Sequence, residues 1–143
     1  MQGRDASLGW PLLLAKGRLC EILSAPLQEG AAAGFCVAIA QIGARGGGPP
    51  RILWLRHTAS ISEAGNVHAA GLVELGMFPA RTIFVTLPKP IDILRAAVDA
   101  ARCAALDSVI MEVRGDAACV DLTATRRLVL AVEASGVSVF LLR

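Results

Sequence analysis

Lysine is nearly missing from this chain: Lys16 and Lys89 are the only two among 143 residues, against twelve arginines. Tyrosine is absent, and His57 and His68 are the only imidazoles. They lie eleven residues apart with no cysteine at zinc-ligand spacing, so no metal site is expected. The four cysteines, Cys20, Cys36, Cys103 and Cys119, form no C-x-x-C pair. They read as buried, reduced thiols of a cytoplasmic protein. Long apolar runs are lacking too. The longest, Ala31 to Ile42, is interrupted by Gly34 and Gln41, whereas a spanning helix needs roughly 20 apolar residues. The stretch Trp10-Pro11-Leu12-Leu13-Leu14 is too short for a signal peptide. No membrane association is expected. A strong charge of one sign is also missing. A net charge of +2 and a pI of about 8.5 are too weak to argue for nucleic acid. Arginine in excess of lysine suits protein interfaces and bidentate pairing, although a GC-rich genome produces the same bias.

What is present is apolar. Hydrophobic residues make up 55% of the chain and the mean hydropathy is +0.58. At 143 residues the chain supports one domain with a full core. The apolar excess implies a buried sheet and a surface that a partner covers. Residues 1–16 read as an N-terminal arm, on which Trp10 is a candidate interface anchor. Residues 17–143 read as the folded domain.

Five strands are expected, at Gly17–Leu23, Arg51–Arg56, Thr82–Leu87, Ser108–Val113 and Val137–Leu142. Helices alternate with them. Gln28 to Ala44 reads as a helix with Phe35, Ile39 and Ile42 on one face, and Gly46-Gly47-Gly48-Pro49-Pro50 stops it. Ser60 to Gly65 reads as a loop. Asn66 to Leu75 reads as a short helix closed by Gly76. Pro90 opens a helix whose inner stripe is Ile91, Leu94, Val98, Ala101 and Ala105. Its outer stripe is Asp92, Arg95, Asp99 and Arg102, where each pair is worth only about 0.2–0.5 kcal/mol. Asp121 caps a helix over Leu122–Ser135 that Gly136 ends. Near-continuous apolar strands alternating with helices predict an α/β fold, a mostly parallel five-stranded sheet covered on both faces.

In that frame the turn after the first strand should carry chemistry. A P-loop needs G-x-x-x-x-G-K-[ST] there, so that backbone N–H groups and a lysine surround the phosphates. This chain has Ser24-Ala25-Pro26-Leu27-Gln28-Glu29-Gly30-Ala31-Ala32-Ala33 instead. The order of segments resembles the RecA-type ATPase core over residues 17–143. Gly17–Leu23 resembles its entry strand. Ala70–Gly76 with Arg81–Val85 resembles its helix and third strand, and Asp107–Glu112 its Walker B strand. The P-loop is degenerate, and Arg56 stands where the resemblance implies a catalytic glutamate. Glu112 then has no lysine or hydroxyl to share a Mg²⁺–phosphate group with, so no cofactor and no enzymatic activity are expected. At a strand end Glu112 is expected to pair with Arg114 or Arg56. His57 has no G-x-S-x-G partner motif, and no catalytic role is expected for it. Trp54 reads as core.

Gly71-Leu72-Val73-Glu74-Leu75-Gly76 and, above all, Asp121-Leu122-Thr123-Ala124-Thr125-Arg126-Arg127-Leu128, running on through Ala134-Ser135-Gly136-Val137 to Leu141-Leu142-Arg143, resemble the ImuA family of RecA-like proteins from SOS mutagenesis cassettes. That resemblance implies a non-catalytic accessory factor in translesion DNA synthesis. It implies an ImuB-like protein and an error-prone polymerase as partners, and a tail beyond the fifth strand in other members. RecA, or a second copy of the chain, is a further candidate partner. Leu53-Trp54-Leu55 and the helix through Gly71 are also similar to the SulA-like cell-division inhibitors, whose target is the tubulin-like protein FtsZ. Arg126 and Arg127 point about 100° apart on their helix. They are candidates for contact with a partner or with DNA phosphate, against the simpler reading of a solvated face.

Overall fold

The computed structural model describes residues 16–115 and 117–143. In chain order these form β1 (Leu19–Ile22), α1 (Glu29–Ile42), β2 (Ile52–His57), α2 (Thr58–Ala64), α3 (Ala69–Glu74), β3 (Thr82–Leu87), α4 (Pro90–Ala101), β4 (Ser108–Glu112), α5 (Leu122–Ser135) and β5 (Ser138–Leu142). The strands make one sheet in the order β1-β5-β4-β2-β3. Every pairing is parallel, so the sheet is wholly rather than mostly parallel.

Side chains alternate across a strand, and the sheet uses this to build two cores. Leu55, Val109, Met111, Val139 and Leu141 face α4 and α5, meeting Ile93, Leu94, Leu128 and Val132. Ile52, Trp54, Ile110, Phe140 and Leu142 face the other way, onto Cys36, Val37 and Ile39 of α1 and Leu72 of α3. Each such aliphatic or aromatic side chain contributes about 1.5–3 kcal/mol on burial. Burial, followed by the neighbouring charge of Glu112, pushes the Cys36 thiol up to about 12. Cys36 is a packing residue. Cys103, by contrast, is exposed in the turn after α4 and Cys20 and Cys119 are half-buried, so of the four thiols expected to be buried only Cys36 is fully so.

The ends of α5 lie where cap chemistry places them. Asp121 Oδ1 accepts from the Ala124 N–H at 2.8 Å, and Gly136 (φ +77°) closes the helix in the left-handed region that favours glycine. Other boundaries differ from expectation. Ser60–Gly65 is largely helix rather than loop, because Thr58–Ala64 contains no proline or glycine and Gly65 supplies the stop, its N–H donating to Ile61 O at 2.9 Å. The third helix starts only at Ala69. Ile42 is 66% exposed. Steps of 100° put it outside the arc of Cys36, Val37, Ile39 and Ala40 that faces the sheet. In α4 the inner stripe is Ile93, Leu94, Ala97 and Ala101, and Ala105 lies past the helix end in solvent. The outer pairs are as expected: Arg95–Asp92 at 3.4 Å and Arg102–Asp99 at 3.9 Å, with Arg95, Asp99 and Arg102 exposed and Asp92 half-buried. The sheet is not covered everywhere. β3 has a strand on one side only among the described residues, and its Ile83 and Phe84 are exposed.

One buried carboxylate organises the end of the sheet where the strands begin. Asp107 Oδ2 accepts the Arg51 N–H at 2.8 Å, and Oδ1 accepts the Arg45 N–H at 3.2 Å. The Arg45 guanidinium spans the neighbouring turns, donating to Ser135 O, Ala104 O and Leu106 O. Burial acts to raise the Asp107 pKa, but the Arg51 backbone and side chain and the Arg45 N–H outweigh it and hold the group below its usual 3.8. A carboxyl depressed on folding stabilises the protein above its unfolded pKa, and that stability is lost as pH falls through the folded value. The urea midpoint is therefore expected to hold from pH 7 down to about pH 5 and to drop below pH 4. Asp107→Asn is expected to lower the midpoint at pH 7 and to flatten the acid limb. An acid limb as steep as in the parent protein would remove Asp107 from this role.

Candidate functional site

The carboxyl ends of β1, β2, β4 and β5 and the first turn of α1 open onto one crevice, which α3 and Gly65–His68 close from the side. This is the end of an open parallel sheet at which ligands bind in α/β folds. Its floor is a buried polar triad. Parallel register sets Arg56 of β2 directly beside Glu112 of β4. Arg56 Nε donates to Glu112 Oε2 at 3.1 Å, and Trp54 Nε1 donates to Glu112 Oε1 at 2.8 Å. Arg56 Nη2 also donates to Gly65 O at 3.1 Å. Of the two partners expected for Glu112, Arg56 is the one found. Trp54 is in the core, as expected, and stacks obliquely on Phe84 with ring centroids 5.6 Å apart.

The rim is built differently. Arg114 lies on the loop after β4 and reaches Glu29 Oε1 at 2.9 Å and Glu63 at 3.7 Å. Glu29 is the first residue of α1, and its Oε1 also accepts the Leu27 N–H at 3.3 Å. Its own backbone N–H first, and Arg114 second, hold its carboxyl below the usual range. A helix N-terminus attracts anions, and here the protein's own carboxylate takes that place. Leu27 has φ +67° without being glycine, and it stands 97% exposed beside Leu23 at 74%. A non-glycine residue in that region costs on the order of 1 kcal/mol. Across the rim, Arg143 pairs with Glu21 at 2.8 Å.

These residues do not fit a Mg²⁺–nucleotide. Both Glu112 oxygens are taken, the helix end carries a negative side chain, and no lysine lines the crevice. Glu112 is structural. His57 Nε2 lies 3.2 Å from Pro88 O, which can only accept, so Nε2 carries the proton and holds the β3–α4 turn.

The other expected site residues are elsewhere. Arg126 and Arg127 are exposed on α5, which packs on the opposite face of the sheet from α1 and α3, so they share nothing with the crevice. Trp10 lies outside the described residues. Sequence reasoning missed the Glu29–Arg114 pair, with partners 85 positions apart. It also missed Ser60 in the lining. The signal for the groove was there in Gly30, Ala33, Gly34 and Val37, which all line the crevice at i, i+3, i+4 and i+7.

No protein-family model and no curated protein matches the sequence. Among solved structures, SulA from Pseudomonas aeruginosa is similar in fold, with a TM-score of 0.61 over 87% of this chain and 96% of that one. The chain has a SulA-like fold. At 16% identity the likeness is one of fold. Over the described residues, no helix is long and apolar enough to cross a membrane.

The triad makes a testable energetic statement. Removing one partner of a buried ion pair strands the other, at a cost of about 3–5 kcal/mol. Arg56→Ala is expected to lose that much in urea unfolding. The double variant Arg56→Met with Glu112→Gln leaves an oxygen for the Trp54 N–H and is expected to lose less than half as much. Equal losses in the two variants would mean that the pair is not coupled.

Proposed function

We propose that this chain is a non-catalytic accessory protein of SOS-induced, error-prone translesion synthesis, working by contact with an ImuB-like protein and an error-prone polymerase. The observation that carries the binding reading is the β1–α1 turn. Where a RecA-type ATPase would cradle phosphate, this chain puts the Glu29 carboxylate at the helix end and presents Leu23 and Leu27 to solvent. Apolar side chains held out by a strained loop suit protein contact. The choice of partner rests on the resemblance of Asp121–Arg143 to the ImuA family. That segment forms α5 and β5, with Arg126 and Arg127 free to face a partner.

A second reading, a SulA-like inhibitor of the division protein FtsZ, is favoured by the fold likeness over nearly the whole of SulA. Co-expression separates the two. Tagged protein is expected to retain an ImuB-like protein and not FtsZ, and Arg126→Ala with Arg127→Ala is expected to reduce retention severalfold. Retention of FtsZ alone, with filamentous cells on overexpression, would overturn the first reading for the second. Unchanged retention by the double variant would withdraw α5 as the contact face.

A further inference from the structure

We propose that the crevice between α1 and α3 binds a small uncharged molecule, one with an apolar body and a single carbonyl acceptor. The cavity measures about 290 Å³, near the lower end for small-molecule sites. Its walls are apolar, with Val37 and Leu72 from the core and Val67 and Leu75 above them. Three glycines keep it wide. Among the described residues, a Cβ at Gly30, Gly34 or Gly71 would meet nothing within 4 Å, so no packing demand there explains the missing side chains. The cleft is room that larger residues would fill.

Two donors in the lining wait for an acceptor. Ser60 is only 2% exposed, and its hydroxyl has no hydrogen-bond partner among the described residues. Buried polar groups are almost always paired, so an orphan hydroxyl beside an open cavity points to a missing acceptor. Arg56 spends Nε on Glu112 and Nη2 on Gly65, while Nη1 takes no acceptor among the described residues. A carbonyl oxygen satisfies such donors.

The charge of the ligand follows from the ion pairs. Among the described residues, each arginine in the lining already has a carboxylate: Arg56 has Glu112, Arg114 has Glu29 and Arg143 has Glu21. No unpaired charge remains in these pairs to compensate a charged ligand in an apolar cleft. Desolvating such a ligand without a partner is strongly unfavourable. A neutral ligand carries no such penalty.

The test uses the full chain and three probes of similar size: indole-3-acetamide, indole-3-acetate and 3-methylindole. Binding is read by calorimetric titration and by ligand-dependent shifts in melting temperature. The acetamide is expected to saturate the protein with a Kd of about 1 mM or tighter. The acetate, which is charged, and 3-methylindole, which lacks the acceptor, are each expected to bind roughly tenfold more weakly or not at all. Ser60→Ala is expected to weaken the acetamide by roughly fivefold. Gly34→Leu fills the groove at a helical position where leucine is favoured over glycine, and it is expected to abolish binding in a folded protein. Gly71→Leu on the facing helix is the second filler should the first variant fail to fold. The proposal is overturned if the acetamide does not saturate, if the acetate or 3-methylindole binds as well, if Ser60→Ala has no effect, or if a folded groove-filled variant binds unchanged.

Discussion

The buried carboxylate at the crevice, Glu112, sets what this end of the fold can do. It sits at the end of the central strand β4, on the floor of the crevice. Here both of its oxygens face inward, one to the Trp54 indole and one to the Arg56 guanidinium. A carboxylate removed from water must be paired, and this one is paired across the strand next door. The register of β2 on β4 and the polarity of the crevice floor therefore rest on the same contacts. Trp54 also belongs to the core on the α1 side of the sheet, so packing and charge pairing hold one another in place.

The two ends of the sheet are built differently. Where the strands begin, Asp107 and Arg45 tie the turns after α1, α4 and α5 into a closed hydrogen-bonded cap. Where they end, the chain leaves an apolar groove, a rim of matched ion pairs and a loop that exposes two leucines. At that rim Glu29 pairs with Arg114 and occupies the helix end, so an outside anion would meet a carboxylate there.

Much of this was legible in the sequence where the signals are local. Asp121 and Gly136 bracket α5 through chemistry within one helical turn of each end. The β-branched run Thr82–Leu87 gave β3 its bounds, and the missing P-loop lysine was visible by inspection. What was hidden depends on residues far apart in sequence. Arg114 meets Glu29 across 85 positions and Arg45 meets Asp107 across 62, pairings that only the folded sheet creates. The α2 helix was hidden for another reason: seven residues rich in serine and threonine carry weak helical preference, and contact with β2 decides the outcome. Of the two candidates for Glu112, only register could choose Arg56.

The protein's own side chains fill the positions at the crevice that a Mg²⁺–nucleotide would need, with Glu29 at the helix end and Arg56 and Trp54 on the two oxygens of Glu112. Calorimetric titration of the intact protein with Mg²⁺–ATP tests it most directly. No saturable heat is expected up to about 1 mM nucleotide, because the helix end already holds a carboxylate and Glu112 has no free oxygen. Saturable binding in the micromolar range would contradict it, and would return the crevice to nucleotide chemistry.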